Sequence, residues 1–262
     1  MKPGARLEAM RRTAPLVHNI TNYVAMERMA DVLLAAGAAP AMIHAREEAA
    51  EFAAIASALT VNIGTLSPPW VEAMAEAAAA ARAAGTPWAL DPVAAGATAY
   101  RRETAARLLA LKPDAVRGNA SEILALAGGG GAGRGVDAGD EVAAAEAAAR
   151  ALAEETGGVV AVTGPVDFVT DGARAFRIAN GHPTMPRLTA LGCSLTGVVA
   201  AFLAAGGDRL EAAAAALAYY GLAGEIAGKA AEGPGSFAWR FLDALAALDG
   251  AALDAGAKVS AA

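Results

Sequence analysis

The chain has 262 residues, a formal net charge of -6 and 56% hydrophobic residues, with a single cysteine and no basic cluster. An acidic surface without a basic stripe excludes nucleic acid as the expected partner, and one cysteine excludes an intrachain disulfide framework and any multi-cysteine metal site. Such cysteine usage fits a reducing cytoplasm, and the alanine-rich composition predicts many closely packed helices.

Residues Met1 to Arg12 are polar and lack the apolar segment of a signal peptide. Pro15 to Asn22 runs from an expected strand into polar residues, and Asn22 is placed to cap a helix reaching about Ala36. Gly37 stops that helix, and Pro40 to Ile43 reads as a short second strand. A helix over Glu47 to Ser57 precedes a buried strand over Ala58 to Ile63. Pro68 and Pro69 open the next helix, which ends at Gly85, and Pro87 to Asp91 is a strand with an acidic last residue. A helix around Arg102 to Leu111 leads to the strand Ala115 to Arg117, after which Gly118-Asn119 caps a helix over Ala120 to Ala127. The helix Glu141 to Glu155 and the strand Val159 to Val162 complete a run of alternating elements. That alternation implies right-handed βαβ units and a parallel sheet.

The pattern changes at Pro165. Val166 to Thr170 and Ala173 to Ile178 flank Asp171-Gly172, a two-residue hairpin signal that predicts an antiparallel edge. Beyond Gly192 the chain reads as helical, broken at Gly206-Gly207 and Gly233-Pro234-Gly235. No linker or composition shift divides the chain, so one domain over residues 1–262 is expected. The longest uncharged apolar stretch, Leu195 to Ala205, falls far short of the roughly 18–20 residues that cross a membrane, so a soluble protein with no membrane partner is expected.

In an open parallel sheet, ligands bind beyond the carboxyl ends of the strands. Asn22, Asn62, Thr65, Asp91, Arg117, Asn119, Glu122 and Thr163 all fall there. Singly, each has a plainer reading: Asn22 and Asn119 as caps, Asp91 before Pro92 as a turn former, Arg117 as a surface ion pair. Together on one rim they suggest a site. Asp91 and Glu122 are the metal candidates, because two carboxylates on adjacent strand-end loops suit Mg²⁺. Arg117 is placed to reach a polyphosphate. The run Thr189-Ala190-Leu191-Gly192-Cys193 reads as a loop turning through Gly192 into an apolar helix, whose N-terminus can hold a phosphoryl group and would lower the thiol pKa of Cys193. A buried cysteine in a core helix is the competing reading.

Three other signals carry less. The G-x-G-x-x-G match at Gly128, Gly130 and Gly133 follows a helix and lacks the P-loop lysine, so a flexible loop is expected. His18, His44 and His182 lack the spacing of a helical metal pair, and no G-x-S-x-G elbow occurs.

The segments PLVHNITNYVA, LAAGAAPAM, LTVNIGTL, ALDPVAAGAT, VRGNASEI, GVDAGD, AVTGPVDFV, NGH, GCSLTGVVAAF and GPGSF occur in that order between Pro15 and Phe237. In them the chain resembles the hydroxyethylthiazole kinases of thiamine salvage, within the ribokinase-like superfamily. The resemblance implies a three-layer αβα sandwich with a mainly parallel sheet and an antiparallel edge. It implies ATP-dependent phosphorylation of the primary alcohol of 4-methyl-5-(2-hydroxyethyl)thiazole, with Mg²⁺, by a homotrimer with sites at its subunit interfaces. Carried over by position, Arg117 and Thr163 contact ATP, Asp91 and Glu122 act on the metal side, and Met42 lines the thiazole pocket with Asn22 near it. Cys193 takes the place of the aspartate base of most ribokinase-like enzymes, and is expected to orient the substrate hydroxyl while only assisting as a base. The chain departs from the family pattern at Ala190 and Leu191, where Thr-Gly-Ala-Gly-Cys is usual, and at Ala94, where glycine is usual. Glycine there permits positive φ and close approach, so the substrate contact at Ala190 is expected to be crowded and Leu191 to point away from the phosphate. A kinase for another vitamin-precursor alcohol and a non-catalytic thiazole or nucleotide sensor are the alternatives.

Overall fold

The structure is a computed structural model that describes residues 1–128 and 138–262. The glycines Gly130 and Gly133 of the rejected motif, and the first residues of GVDAGD, lie outside the described residues. The chain alternates as α1 (Pro3–Thr13), β1 (Leu16–Ile20), α2 (Met26–Ala36), β2 (Ala39–Ala41), α3 (Arg46–Ile55), β3 (Ala58–Asn62), α4 (Pro68–Ala84), β4 (Trp88–Asp91), α5 (Ala99–Leu109) and β5 (Ala115–Asn119). It continues as α6 (Ala120–Leu126), α7 (Ala138–Thr156), β6 (Val159–Thr163), β7 (Asp167–Thr170), β8 (Ala175–Ile178), α8 (Leu191–Ala204), α9 (Arg209–Ala230), α10 (Pro234–Ala247), α11 (Gly250–Gly256) and β9 (Val259–Ala261).

The strands form one sheet in the order β2-β1-β3-β4-β5-β6-β7-β8-β9. Pairings from β2 through β6 are parallel, and those from β6 through β9 are antiparallel. Side chains alternate across it as a strand period of two requires. In β6, Val159 and Ala161 join a core beneath α1, α2, α8, α9 and α10, while Val160 and Val162 join a second core beneath α3, α4, α5 and α7. Helices therefore cover both faces, the three-layer arrangement that a buried parallel sheet demands. The strand order reverses between β1 and β3, which opens a crevice at their carboxyl ends.

Local chemistry explains most boundaries. Gly37 and Gly85 end α2 and α4 at φ +99° and +75°. Asn119 and Glu122 form a reciprocal capping box at the start of α6. Three expectations are corrected. Asn22 makes no side-chain cap; a 3₁₀ turn over Tyr23–Ala25 precedes α2, and the amide is used elsewhere. The hairpin loop has four residues, because Thr170 pairs with Ala175 and the Asp171 carboxylate accepts from the Ala173 and Arg174 amides. The segment beyond Gly192 is not wholly helical, since β9 extends the sheet by pairing with β8. The polar N-terminus forms α1, which packs Leu7 and Met10 into the first core.

Candidate active site

Asn22 leaves the end of β1 and Asn62 ends β3, so the reversal of strand order places them side by side. Asn22 Nδ2 donates to Asn62 Oδ1 at 2.9 Å and to Cys193 Sγ at 3.3 Å. Asn62 Nδ2 donates to Asp91 Oδ2 at 2.8 Å, and Thr196 Oγ1 donates to the same oxygen at 3.1 Å. Cys193 and Thr196 are three apart on α8, so both face the strand ends. The two amides thus link the carboxylate of β4 to the thiol of α8. Gly64 allows this, because a Cβ there would stand 2.7 Å from Asn22 Nδ2 and 2.8 Å from Asn62 Oδ1.

Asp91 is fully buried, and burial is the main cause that raises its pKa from 3.8 to about 6, with Arg117 opposing and Glu122 adding to the rise. Burial also pushes the Cys193 thiol up, and the neighbouring Asp91 charge adds to it. This corrects the expected lowering by the helix terminus: the positive end of α8 is outweighed where the thiol is desolvated beside a carboxylate. The thiol is protonated at neutral pH.

The turn into α8 is made by Ala190, not Gly192. Ala190 takes φ +66° and its carbonyl accepts the first helical bond from Ser194. The N–H groups of Leu191, Gly192 and Cys193 precede that bond and lie at the positive helix end. Leu191 is buried in the first core, and its carbonyl accepts from the Tyr220 hydroxyl at 2.8 Å. Gly192 has a different use: a Cβ there would stand 2.7 Å from Arg117 Nη1. Its hydrogen lets the guanidinium lie against the helix start. Arg117 Nη2 donates to Thr163 Oγ1 at 2.6 Å, and Thr163 passes a bond to the Gly118 carbonyl at 3.2 Å. Arg117 Nε is buried with no partner.

These groups open on a cavity of about 760 Å³, walled by Asp91, Arg117, Glu122, Thr163, Ala190, Gly192 and Cys193 on one side. The segment from Asn180 to Leu188 and the helix residues Leu217 and Tyr220 wall the other. Asp167 also lines it. Its carboxylate accepts from Gly164 N at 2.9 Å, and burial raises its pKa to about 6 against the pull of Arg117. Sequence reasoning passed over Asp167 and Thr196, and it left Asn62 among the rim residues without a role. The only signal for Asp167 was its place four residues after Thr163 in VTGPVD.

The sequence-predicted residues divide plainly. Asp91, Arg117, Thr163, Gly192, Ala190 and Cys193 meet at the cavity, and Asn22 stands behind it in contact with Cys193. Glu122 reaches the rim, yet one oxygen accepts from Ala94 N at 3.0 Å and the other from Asn119 N at 2.9 Å. Met42 is half-buried after β2 and is not among the residues lining the cavity. It belongs to the segment of His44, whose ring packs at a tilt against Trp70, which in turn contacts exposed Tyr23. Among the described residues no three His, Cys, Asp or Glu side chains cluster as a metal cage. One observation suits a single divalent cation: Asp91 Oδ1 is buried without a partner.

Comparison with known proteins identifies the family. The model of the Hydroxyethylthiazole kinase family matches residues 7–250. A hydroxyethylthiazole kinase of Cereibacter sphaeroides is 67% identical over 259 residues, covering 99% of this chain and 98% of that protein. The structure of a hydroxyethylthiazole kinase from Pyrococcus horikoshii superposes with a TM-score of 0.91 at 39% identity, covering 99% and 98% of the two chains. A Staphylococcus aureus pyridoxal kinase in complex with AMP-PCP and pyridoxal superposes with a TM-score of 0.61 at 17% identity over 82% and 88%, a likeness of fold alone. The sandwich is therefore of the ribokinase-like kind, and the chain belongs to the hydroxyethylthiazole kinase family.

Proposed function

We propose that this chain phosphorylates the primary alcohol of 4-methyl-5-(2-hydroxyethyl)thiazole at the expense of ATP, in thiamine biosynthesis or salvage. The observation that carries the reading is the meeting of Asp91, Arg117 and Cys193 with the N-terminus of α8 on one cavity wall. Arg117, supported by Thr163, offers positive charge to the nucleotide phosphates. The free N–H groups of α8 face the phosphoryl group in flight. Cys193, held by Asn22, positions the substrate hydroxyl. Its protonated thiol is a poor base, but a loose phosphoryl-transfer transition state needs little deprotonation of the alcohol, so positioning and charge neutralisation dominate.

Mg²⁺ fits the site through Asp91, whose second oxygen has no protein partner. The ion supplies charge neutralisation to the polyphosphate. Glu122, with both oxygens on backbone N–H groups, reaches it only through water or after letting go of the Ala94 amide. Met42 lines the thiazole pocket only if a second copy completes it. We therefore place the substrate at a subunit boundary of a homotrimer. The exposure of Tyr23 (67%) and Val24 (71%) beside the His44–Trp70 contact supports an apolar partner there. The continuous sheet supports residues 1–262 acting as one kinase domain. The acidic, single-cysteine composition supports a cytoplasmic location.

A second reading is favoured by Ala190. Its methyl group adds bulk to a wall that the family leaves as glycine, which would shift preference toward a smaller or differently substituted heterocyclic alcohol. The purified protein with Mg-ATP and a panel of thiazole and pyrimidine alcohols decides between them. The highest kcat/KM is expected for the thiazole alcohol, with one ADP released per ester formed. A higher value for another alcohol supports the second reading, and tight thiazole binding without ADP release overturns both in favour of a sensor.

A further inference from the structure

Arg101 lies on α5, outside the residues that the family pattern singles out. Its guanidinium is committed to three backbone carbonyls. Nη1 donates to Ile63 O at 2.6 Å and to Val93 O at 2.8 Å, and Nη2 donates to Gly64 O at 2.9 Å. Ile63 and Gly64 begin the loop after β3, and Val93 lies in the loop after β4. One side chain thus ties together the two loops that follow Asn62 and Asp91.

The peptide joining Val93 to Ala94 is held at both poles. Its carbonyl accepts from Arg101, and its N–H donates to Glu122 Oε1 at 3.0 Å. Immediately after it, Ala94 takes φ +53°. A non-glycine residue keeps that conformation only where its surroundings over-determine it. On the other loop, Gly64 N donates to Asn62 Oδ1, and the Asn62 amide in turn holds Asp91. A planar fork of donors can satisfy three converging carbonyls together, which an ammonium on a flexible stem cannot do with the same geometry.

We propose that Arg101 is a positioning residue that clamps the Val93–Ala94 peptide against Glu122 and so sets the loops that follow Asn62 and Asp91 at the reacting end of the cavity. Its kinetic consequence rests on the kinase reading above; its effect on the loops does not. Arg101→Met, Arg101→Lys and the double variant Arg101→Met with Ala94→Gly separate the two. By hydrogen exchange without ligands, Arg101→Met speeds exchange of the segment 91–98 by about tenfold or more and leaves β1 at the wild-type rate. With the thiazole alcohol, its kcat falls about tenfold or more while the KM for ATP stays within about twofold, because Arg117 and Thr163 are untouched. Arg101→Lys falls between wild type and Arg101→Met, and Ala94→Gly recovers more kcat in the Arg101→Met background than in wild type. Should Arg101→Met not fold, Arg101→Lys is read against wild type by the same two measurements. Unchanged exchange in 91–98 overturns the clamp even if the protein proves to act on another substrate. Faster exchange with unchanged kcat, or a KM for ATP that rises as kcat falls, overturns its link to the reaction. An inactive wild type would refute the kinase reading and leave the exchange measurement to decide the clamp.

Discussion

Cys193 shows why a residue's neighbours outrank its position in a helix. The helix start is legible in sequence, but Asp91 lies on a different strand and Asn22 is 171 positions away. Burial and the Asp91 charge reverse the expected direction of the thiol pKa, against the opposing pull of the Asn22 amide. With the thiol protonated, Cys193→Ser is expected to lower kcat by less than about tenfold, whereas loss of a true general base costs about 10²–10⁴-fold. A steady-state comparison at saturating Mg-ATP checks this, and Cys193→Asp should retain or raise the rate. Asp167 provides the pH test. Its folded pKa of about 6 exceeds the ordinary 3.8, so the folded state holds a proton that the unfolded chain has lost between those values. The wild type therefore loses stability relative to Asp167→Asn as pH rises from about 4 through 6, and the deficit is complete above 6. After allowance for partial exposure it amounts to about 2 kcal/mol. Urea melts of both proteins across that range read the difference, and asparagine keeps the oxygen that accepts from Gly164.

At the scale of elements, the legible parts are those whose signal is local. The apolar runs of β3, β4 and β6, the capping box of Asn119 and Glu122, and the glycine stops after α2 and α4 all appear in the sequence within one element of their effect. What escaped depends on distant partners. Val259-Ser260-Ala261 has no strand pattern of its own and becomes β9 only by pairing with β8. Asp171-Gly172 suggests the tightest hairpin, but Arg174, bonded to both Asp171 and Asp208, draws four residues into the loop. Asn22 has the right chemistry for a cap and gives its amide to Asn62 instead. The packing of α8 against β5 yields a sharp test. Gly192→Ala puts a methyl group where Arg117 Nη1 lies, so the guanidinium must move off the helix start. The KM for ATP is expected to rise about tenfold or more, in line with loss of a hydrogen bond to a charged group, while the far-ultraviolet circular dichroism stays unchanged.

Across the whole molecule, the proposed trimer would rest on the exposed rim beside β1 and β2. If copies assemble there, Val24→Lys, a charge on a residue that makes no bond within the site, converts trimers to smaller species in light scattering. It also raises the KM for the thiazole alcohol more than that for ATP. The other global feature is alanine, which builds the helices and also occupies backbone unsuited to it. Among the described residues, three of the four non-glycine positions at positive φ are Ala14, Ala94 and Ala190. Ala190→Gly removes such strain and is expected to raise stability by about 0.5–1 kcal/mol, the relief being partly offset by a freer unfolded chain, as measured by the urea midpoint at constant m-value. Alanine and glycine codons differ by a single base. Relief of the strained backbone at Ala190 therefore lies one nucleotide away from this sequence.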